Sequence, residues 1–462
     1  MHVLDYFFQP RCCACVGASN NRMSWGNWVS QNLLAYRKNG KVYLVNPKDE
    51  TVLGVKTFPN ISAIPDQLDF IVIIVPAPKV ISVLEEAIEN NVKVATIITA
   101  GYAEAEEGQT LQKELENIVK KRKIRIQGPN CNGFFHVKNS INVSSQPNKF
   151  LKDSPVTFIT QSGYIGQALS YWGGPRNLTF GKYVSVGNEI DLTITDYVEY
   201  FGDDPTTKVI VLYIEGVRDG ARFRKVLQKV ANKKPVIVWK TGDSEAVARA
   251  ARSHTAKIVG SHQIFQCISR QLKLIEIRDV EHILPLSHAF FTHPPLLGKR
   301  IGIITFGAGF GVVLTDTLTR AGFEVPEFSE QTQRRLRKII PAYRASIKNP
   351  IDIGASGSYE PDTILRPVKL LFSNDEVDAI IVANLGEGEM VIPEAEQIEG
   401  YIAKKLQQLE QKLNRPIFLF TILTEFDSKT VKQILQRGPV YHSAGELTTV
   451  IKGLYQFYKT SN

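Results

Sequence analysis

The sequence predicts an α/β protein built on more than one parallel sheet, and three patterns carry that expectation. Short apolar runs recur with polar, Gly or Pro turns at their carboxyl ends, as where Cys12 to Val16 leads into Gly17-Ala18-Ser19-Asn20-Asn21. Runs apolar on both faces suit parallel strands covered by helices on each side. Helix-period stretches lie between them, for example about Asn27 to Tyr36 and Leu111 to Val119. The strand-turn-helix pattern then restarts near Pro155 and again at Arg300. A chain of 462 residues has room for this, at roughly two to four domains.

In the first segment, Val42 to Val45 ends in Asn46-Pro47-Lys48 and Phe70 to Val75 ends in Pro-Ala-Pro. Val94 to Ile98 ends in Thr99-Ala100-Gly101, and Lys123 to Ile126 in Gly-Pro-Asn130-Cys-Asn-Gly. Ligands of such sheets bind at the carboxyl ends, where helix N-termini point at phosphate. The dinucleotide fingerprint is incomplete. GASNNRMSWG lacks the G-x-G-x-x-G spacing, and Lys48 stands where an acidic residue would hold a ribose. A lysine there suits a ligand with a phosphate near its ribose and argues against NAD, and so against an NAD-linked oxidoreductase. Cys12, Cys13 and Cys15 alternate along a strand without zinc spacing, so small buried strand residues are expected, not a metal site.

In the second segment, Val156 to Thr160 leads into Gln161-Ser162-Gly163-Tyr164-Ile165-Gly166 and an apolar helix. Lys182 to Val186 leads into Gly187-Asn188-Glu189, and Val209 to Ile214 ends on the carboxylate of Glu215. His254 follows a helix-forming run, Ser244 to Arg252. A nucleophilic imidazole needs one bare ring nitrogen and a proton held on the other against an acceptor, which a carboxylate can be. Local sequence alone favours a surface histidine and an unrelated strand-end glutamate, and only the rest of the chain reverses that. Leu286 to Gly298 reads as a linker with Pro294-Pro295, in which His288 and His293 supply polarity and bind no metal.

The third segment opens with Arg300 to Thr305 and Phe306-Gly307-Ala308-Gly309-Phe310-Gly311, with later strands at Ala379 to Val382 and Ile417 to Phe420. VTFITQSGYIGQAL and IGIITFGAGFGVVL form a pseudo-repeat. Helix starts at Ser162-Gly163 and Gly309–Gly311 would offer backbone N–H groups to a dianion. Each alone is also what any strand-to-helix reversal requires.

Composition narrows the class. Hydrophobic content of 43% and charged content of 22% are those of an ordinary soluble globular protein. No run is long and apolar enough for a membrane span, and the start lacks a secretory pattern. Five cysteines without a disulfide framework fit a reducing cytoplasm. A formal charge of +9 favours an anionic partner. The tightest basic cluster, Lys120 to Lys123, ends a helical run and offsets its dipole, so a polyphosphate ligand is expected in place of nucleic acid.

These landmarks, in this order, resemble the alpha subunit of the NDP-forming acyl-CoA synthetases, which include succinyl-CoA synthetase and ADP-forming acetate–CoA ligases. LDYFFQPRCCACVGAS looks like the family's opening strand and coenzyme A turn, followed by VNPK, ITAGYAEAEEG and GPNCNG. TQSGYIG resembles its phosphate-holding helix start, YIEG its histidine-orienting glutamate and RAARSHT its phosphohistidine segment. RIGIITFGAGFGV and KNPIDI look like its third domain. The resemblance implies a Rossmann-like coenzyme A domain over 1–147 and two flavodoxin-like, succinyl-CoA synthetase-type domains over 148–290 and 297–462. It implies phosphate, acyl phosphate and phosphohistidine chemistry with His254 and Glu215 as catalytic pair. Coenzyme A would lie on Gly17, Ala18, Ser19, Asn20, Lys48, Thr99, Ala100 and Gly101. Phosphate would lie on Asn130, Ser162, Gly163, Gly309 and Gly311. ADP or ATP with Mg²⁺ would sit on a partner beta subunit with an ATP-grasp domain, because nothing in this chain looks like one. An α2β2 assembly and a small carboxylic acid substrate are implied, and the small-residue turns favour a short acid such as acetate.

The sequence departs from the family at Val247 and Ala256, where glycine is common, and at His262, where an acidic residue is frequent. A methyl at Ala256 restricts the histidine loop. Val247 and Ala256 support the rival reading, a catalytically degenerate coenzyme A-binding regulatory module of the same fold.

Overall fold

The structure, a computed structural model, describes residues 2–121, 123–241, 262–340, 346–354 and 360–461. They form two compact units, Met1–Gly174 with Thr179–Arg278, and Pro175–Leu178 with Asp279–Asn462. The α/β class with parallel-dominated sheets is as the sequence predicts.

The first unit holds two sheets. One comprises β1 (Cys12–Val16), β2 (Lys41–Val45), β3 (Thr51–Val52), β4 (Val55–Phe58), β5 (Phe70–Ile73), β6 (Val94–Ile97) and β7 (Arg125–Gln127), in the order β3-β4-β2-β1-β5-β6-β7. Its pairs are parallel except β3 with β4. In β1 every residue is buried, and alternation divides it. Cys13 and Cys15 join one core cluster, while Cys12, Ala14 and Val16 join the other on the opposite face. The three cysteines are therefore packing residues, and burial pushes the Cys15 thiol up to about 12. The helix Gln109–Lys120 carries Lys120 in its last turn, where a cation meets the negative dipole end.

The second sheet comprises β8 (Phe134–His136), β9 (Ile141–Asn142), β10 (Val156–Thr160), β11 (Lys182–Ser185), β12 (Val209–Ile214), β13 (Val236–Lys240) and β14 (Ile275–Glu276), in the order β14-β13-β12-β10-β11-β8-β9. The strands from β10 to β14 pair in parallel, and β8 joins β11 antiparallel. The short helix Asp5–Phe8 presses Phe8 against Phe134 and Phe201, with ring centroids 5.1 and 5.2 Å away. Phe8 is 1% exposed, so truncating it to alanine costs about 3–5 kcal/mol.

The second unit carries a parallel sheet of β15 (Ile301–Thr305), β16 (Ile351–Asp352), β17 (Ala379–Ala383) and β18 (Ile417–Phe420), in the order β16-β15-β17-β18. Here the linker reading is corrected. Residues Ile283–Thr292 form a helix with His288 buried inside it, and His293 follows it into the core. His293 Nδ1 lies 2.6 Å from Glu410 Oε1 and Nε2 lies 2.9 Å from Tyr441 Oη. Pro285 sits in the first turn, where a missing N–H costs nothing, so it does not break the helix. Among the described residues, no helix is long and apolar enough to cross a membrane.

Candidate functional site

At the carboxyl ends of the two sheets of the first unit lies a cavity of about 760 Å³. It gathers six of the expected site residues: Thr99, Ala100, Asn130, Ser162, Gly163 and Glu215. Trp25, Gln161, Tyr164 and Tyr213 share its lining.

Ser162 and Gly163 arrive from β10. Thr160 Oγ1 donates to the Ser162 carbonyl (2.8 Å) and accepts from the Ser162 N–H (3.0 Å), which turns the chain sharply after the strand. The helix Gly163–Gly173 starts there, and the Ser162 side chain makes no capping bond to it. Among the described residues its first-turn amides are thus left uncapped, the helix-terminus arrangement that binds phosphate. Asn132 Nδ2 and Tyr183 Oη both donate to the Gly163 carbonyl at 3.0 Å and seat the helix start. Gly166 permits that seat, since a Cβ there would stand 2.1 Å from the Tyr183 ring.

Glu215 follows β12. Its N–H donates to Gln161 Oε1 (2.6 Å), as does the N–H of Gly216 (3.1 Å). Gln161 Nε2 donates to the Gly216 carbonyl and to Glu189 Oε2, each at 2.7 Å. Glu189 Oε1 in turn accepts from the Ile194 N–H (2.6 Å), at the start of the helix Ile194–Asp203. Lys240 Nζ reaches the Glu215 carbonyl at 2.8 Å. Burial raises the Tyr213 phenol pKa, and the nearby Glu215 carboxylate adds to the rise against a Thr241 hydrogen bond.

Asn130, at φ +55°, donates its N–H to the Thr99 carbonyl (3.0 Å) and its side-chain amide to Asn188 Oδ1 (3.3 Å). Gly101 is placed differently from its neighbours. Its N–H is taken by Glu104 Oε1 (2.7 Å), whose Oε2 accepts from Asn188 Nδ2 (2.6 Å). Burial opposes the Glu104 charge, but Asn188 and the backbone N–H groups outweigh it and hold the carboxyl low.

Gly17, Ala18, Ser19, Asn20 and Lys48 gather at the ends of β1 and β2. The Gly17 and Ala18 amides both donate to the Val45 carbonyl, at 3.1 and 3.2 Å. Asn46 bridges the two loops, donating to the Ala18 carbonyl and accepting from the Lys48 N–H (2.7 Å). Asn20 accepts from the Leu53 N–H (3.0 Å), Asn27 reaches the Ser19 carbonyl (2.8 Å), and Lys48 is exposed. Gly17 sits at φ +99°, where a Cβ would come 2.2 Å from the carbonyl oxygen of Ile74, itself a cavity residue.

Gly309 and Gly311 belong to the second unit, in the first turns of the helix Ala308–Arg320 after β15. Thr305 Oγ1 makes the same pair of bonds to Gly307, at 2.8 and 3.1 Å, as Thr160 makes to Ser162. The pseudo-repeat therefore extends to hydrogen bonding. His254, Val247 and Ala256 lie outside the described residues, as does the side chain of His262. Sequence reasoning did not single out Gln161, Glu189 or Glu104. Their positions beside glycine turns were visible, but their partners are remote in sequence.

Residues 11–137 match the CoA binding domain family and residues 153–290 match the succinyl-CoA ligase like flavodoxin domain family. The chain is 36% identical to the alpha subunit of acetate–CoA ligase [ADP-forming] II from Pyrococcus furiosus, over 98% of each protein. It is 37% identical to acetate–CoA ligase [ADP-forming] from Methanocaldococcus jannaschii over 76% of this chain, and that match spans 49% of the relative's length. Its structure superposes, with a TM-score of 0.84 and 30% identity, on the dinucleotide forming acetyl-coenzyme A synthetase 1 of Ca. Korarchaeum cryptofilum, solved with phosphate and ADP, covering 99% of this chain and 97% of that one. Likeness of this extent, running through both sheets of the first unit and on into the second, shows that the chain belongs to the ADP-forming acetate–CoA ligase family.

Proposed function

We propose that this chain is the alpha subunit of an ADP-forming acyl-CoA ligase acting on a short acid such as acetate. The supporting observation is one cavity that holds both an uncapped helix start, Ser162-Gly163, and the Glu215 carboxylate. Phosphate held by the helix-start amides and Asn130 attacks the thioester carbonyl carbon. The C–S bond breaks, coenzyme A leaves as a thiolate that takes a proton, and an acyl phosphate remains. A ring nitrogen of His254 then attacks phosphorus, and the P–O bond to the acyl group breaks to release the acid. ADP finally takes the phosphoryl group and regenerates the imidazole. Such transfers ask for positioning and charge neutralisation more than for covalent help. Glu215 accepts a hydrogen bond from the N–H on the far ring nitrogen, which fixes the tautomer and stabilises the charged phosphohistidine.

Coenzyme A lies over Gly17, Ala18, Ser19, Asn20, Lys48 and the Thr99-Ala100-Gly101 turn, with the Lys48 ammonium against its phosphates. The Gly309–Gly311 helix start is a second phosphate seat, used on the way to the nucleotide. ADP binds the ATP-grasp domain of a partner beta subunit in an α2β2 assembly in the cytoplasm, and Mg²⁺ bound there would neutralise its phosphates. The functional division is drawn at 1–147, 148–290 and 297–462.

The test is phosphate labelling of the complex formed with the partner, under turnover with a panel of acids. Acid-labile, base-stable label that disappears in His254→Ala, with acetate among the accepted acids, is expected. Label that survives His254→Ala, or no label at all with an active partner present, overturns the proposal.

A further inference from the structure

We propose that Gln161 is a positioning residue that sets the place of the Glu215 carboxylate, an inference that builds on the functional reading above. Gln161 is 5% exposed and its amide is fully engaged. Its oxygen takes the N–H groups of Glu215 and Gly216, and its nitrogen gives both hydrogens, to the Gly216 carbonyl and to Glu189. The side chain therefore holds the backbone on both sides of the Glu215 Cα from a strand 54 residues away in sequence. Buried amides satisfied in this way fix geometry, because any displacement leaves a polar group unpaired.

The internal repeat shows that the turn itself does not need this amide. Aligned on Thr160 and Thr305, Gln161 corresponds to Phe306. The Thr305–Gly307 turn closes with the same two hydrogen bonds, and its helix starts in the same way. A fold that builds this reversal around a phenylalanine does not call for a buried glutamine. The glutamine occurs in the copy whose neighbouring strand ends in Glu215. Glu189 then anchors the clamp at the far end, because its other oxygen is held by the Ile194 N–H.

The test is a double-mutant cycle in the complete complex with the partner subunit, crossing Gln161→Met with Glu215→Gln. Gln161→Met keeps the volume and removes every hydrogen bond, and Gln161→Leu serves where it yields no folded enzyme. The expected result is a fall in kcat of roughly tenfold or more, with unchanged KM for coenzyme A and acid. No further fall is expected when Gln161→Met is added to Glu215→Gln. Gln161→Glu keeps an oxygen for the two amides but brings a second carboxyl against Glu189. It is expected to melt lower than Gln161→Met and yet retain more activity. Activity that simply follows melting temperature across these variants, or an equal loss from Gln161→Met in both backgrounds, overturns the positioning role. A Glu215→Gln enzyme as active as its parent overturns the functional reading on which the role depends.

Discussion

Lys48 stands exposed just past β2, on a loop that Asn46 ties together, and its side chain makes no hydrogen bond among the described residues. Its removal should therefore leave the fold intact while weakening coenzyme A binding. Lys48→Ala is expected to raise the Kd by roughly tenfold, the size of one charge-assisted hydrogen bond. The salt dependence of binding should become shallower, since one screened attraction is gone. Calorimetric titration across a salt series checks both, and an unchanged Kd at every salt concentration counts against the role. Gly17 makes the opposite kind of claim. With φ at +99° and the Ile74 carbonyl oxygen 2.2 Å from any Cβ, Gly17→Ala should lose ~2 kcal/mol or more of stability in denaturant unfolding. Both residues were legible in the sequence, because turn chemistry at a strand end is local. Gln161 and Glu189 were not. What they do depends on Gly216 and Ile194, brought near by the sheet, and nothing in TQSG or VGNE names those partners.

At the scale of elements, continuous apolar runs did most of the predicting. The apolar runs became β1, β5, β10, β12, β15, β17 and β18 because strands buried on both faces need no polar residue to specify a side. The Ile283–Thr292 helix was missed for a related reason: Pro and two histidines look like loop chemistry until the core supplies Glu410 and Tyr441. The helix Ala395–Leu413 carries a similar hidden polar residue, Glu399, which is 0% exposed. Its Oε1 accepts from the Gly388 N–H (3.1 Å), and its Oε2 is buried without a hydrogen-bond partner among the described residues. Burial raises this carboxyl to about 7, against partial relief from the backbone N–H groups around Gly388. A carboxyl that holds its proton more tightly when folded contributes its stability in full below its ordinary range and loses it as pH rises through about 7. Glu446 is pushed by burial to about 7 as well. Glu399→Gln should therefore gain stability over its parent on the alkaline side, on the order of 2 kcal/mol, and little or nothing on the acid side. Thermal melts at about pH 4 and about pH 8.5 decide it. A gap between variant and parent that does not widen with pH refutes the assignment.

For the molecule as a whole, the decisive question is what one chain can do alone. The first unit provides a cavity with an anion-ready helix start, and the second repeats that start in a separate sheet. A phosphoryl group moving through the first seat must still reach a nucleotide, and the proposed reading assigns that nucleotide to a partner. The relative from Methanocaldococcus jannaschii, of which this chain matches 49%, carries further sequence in the same polypeptide. The purified chain should accordingly bind coenzyme A by itself, with an affinity lowered by Lys48→Ala. It should form no ATP from ADP, phosphate and acetyl-CoA above background. Adding the partner should restore ATP formation and shift the mass measured by light scattering to that of a heterotetramer. Separating binding from turnover gives each result a distinct meaning. Coenzyme A binding without ATP formation, followed by rescue, places the nucleotide step on the partner. Full ADP-dependent turnover by this chain alone would place it here and remove the need for a second subunit.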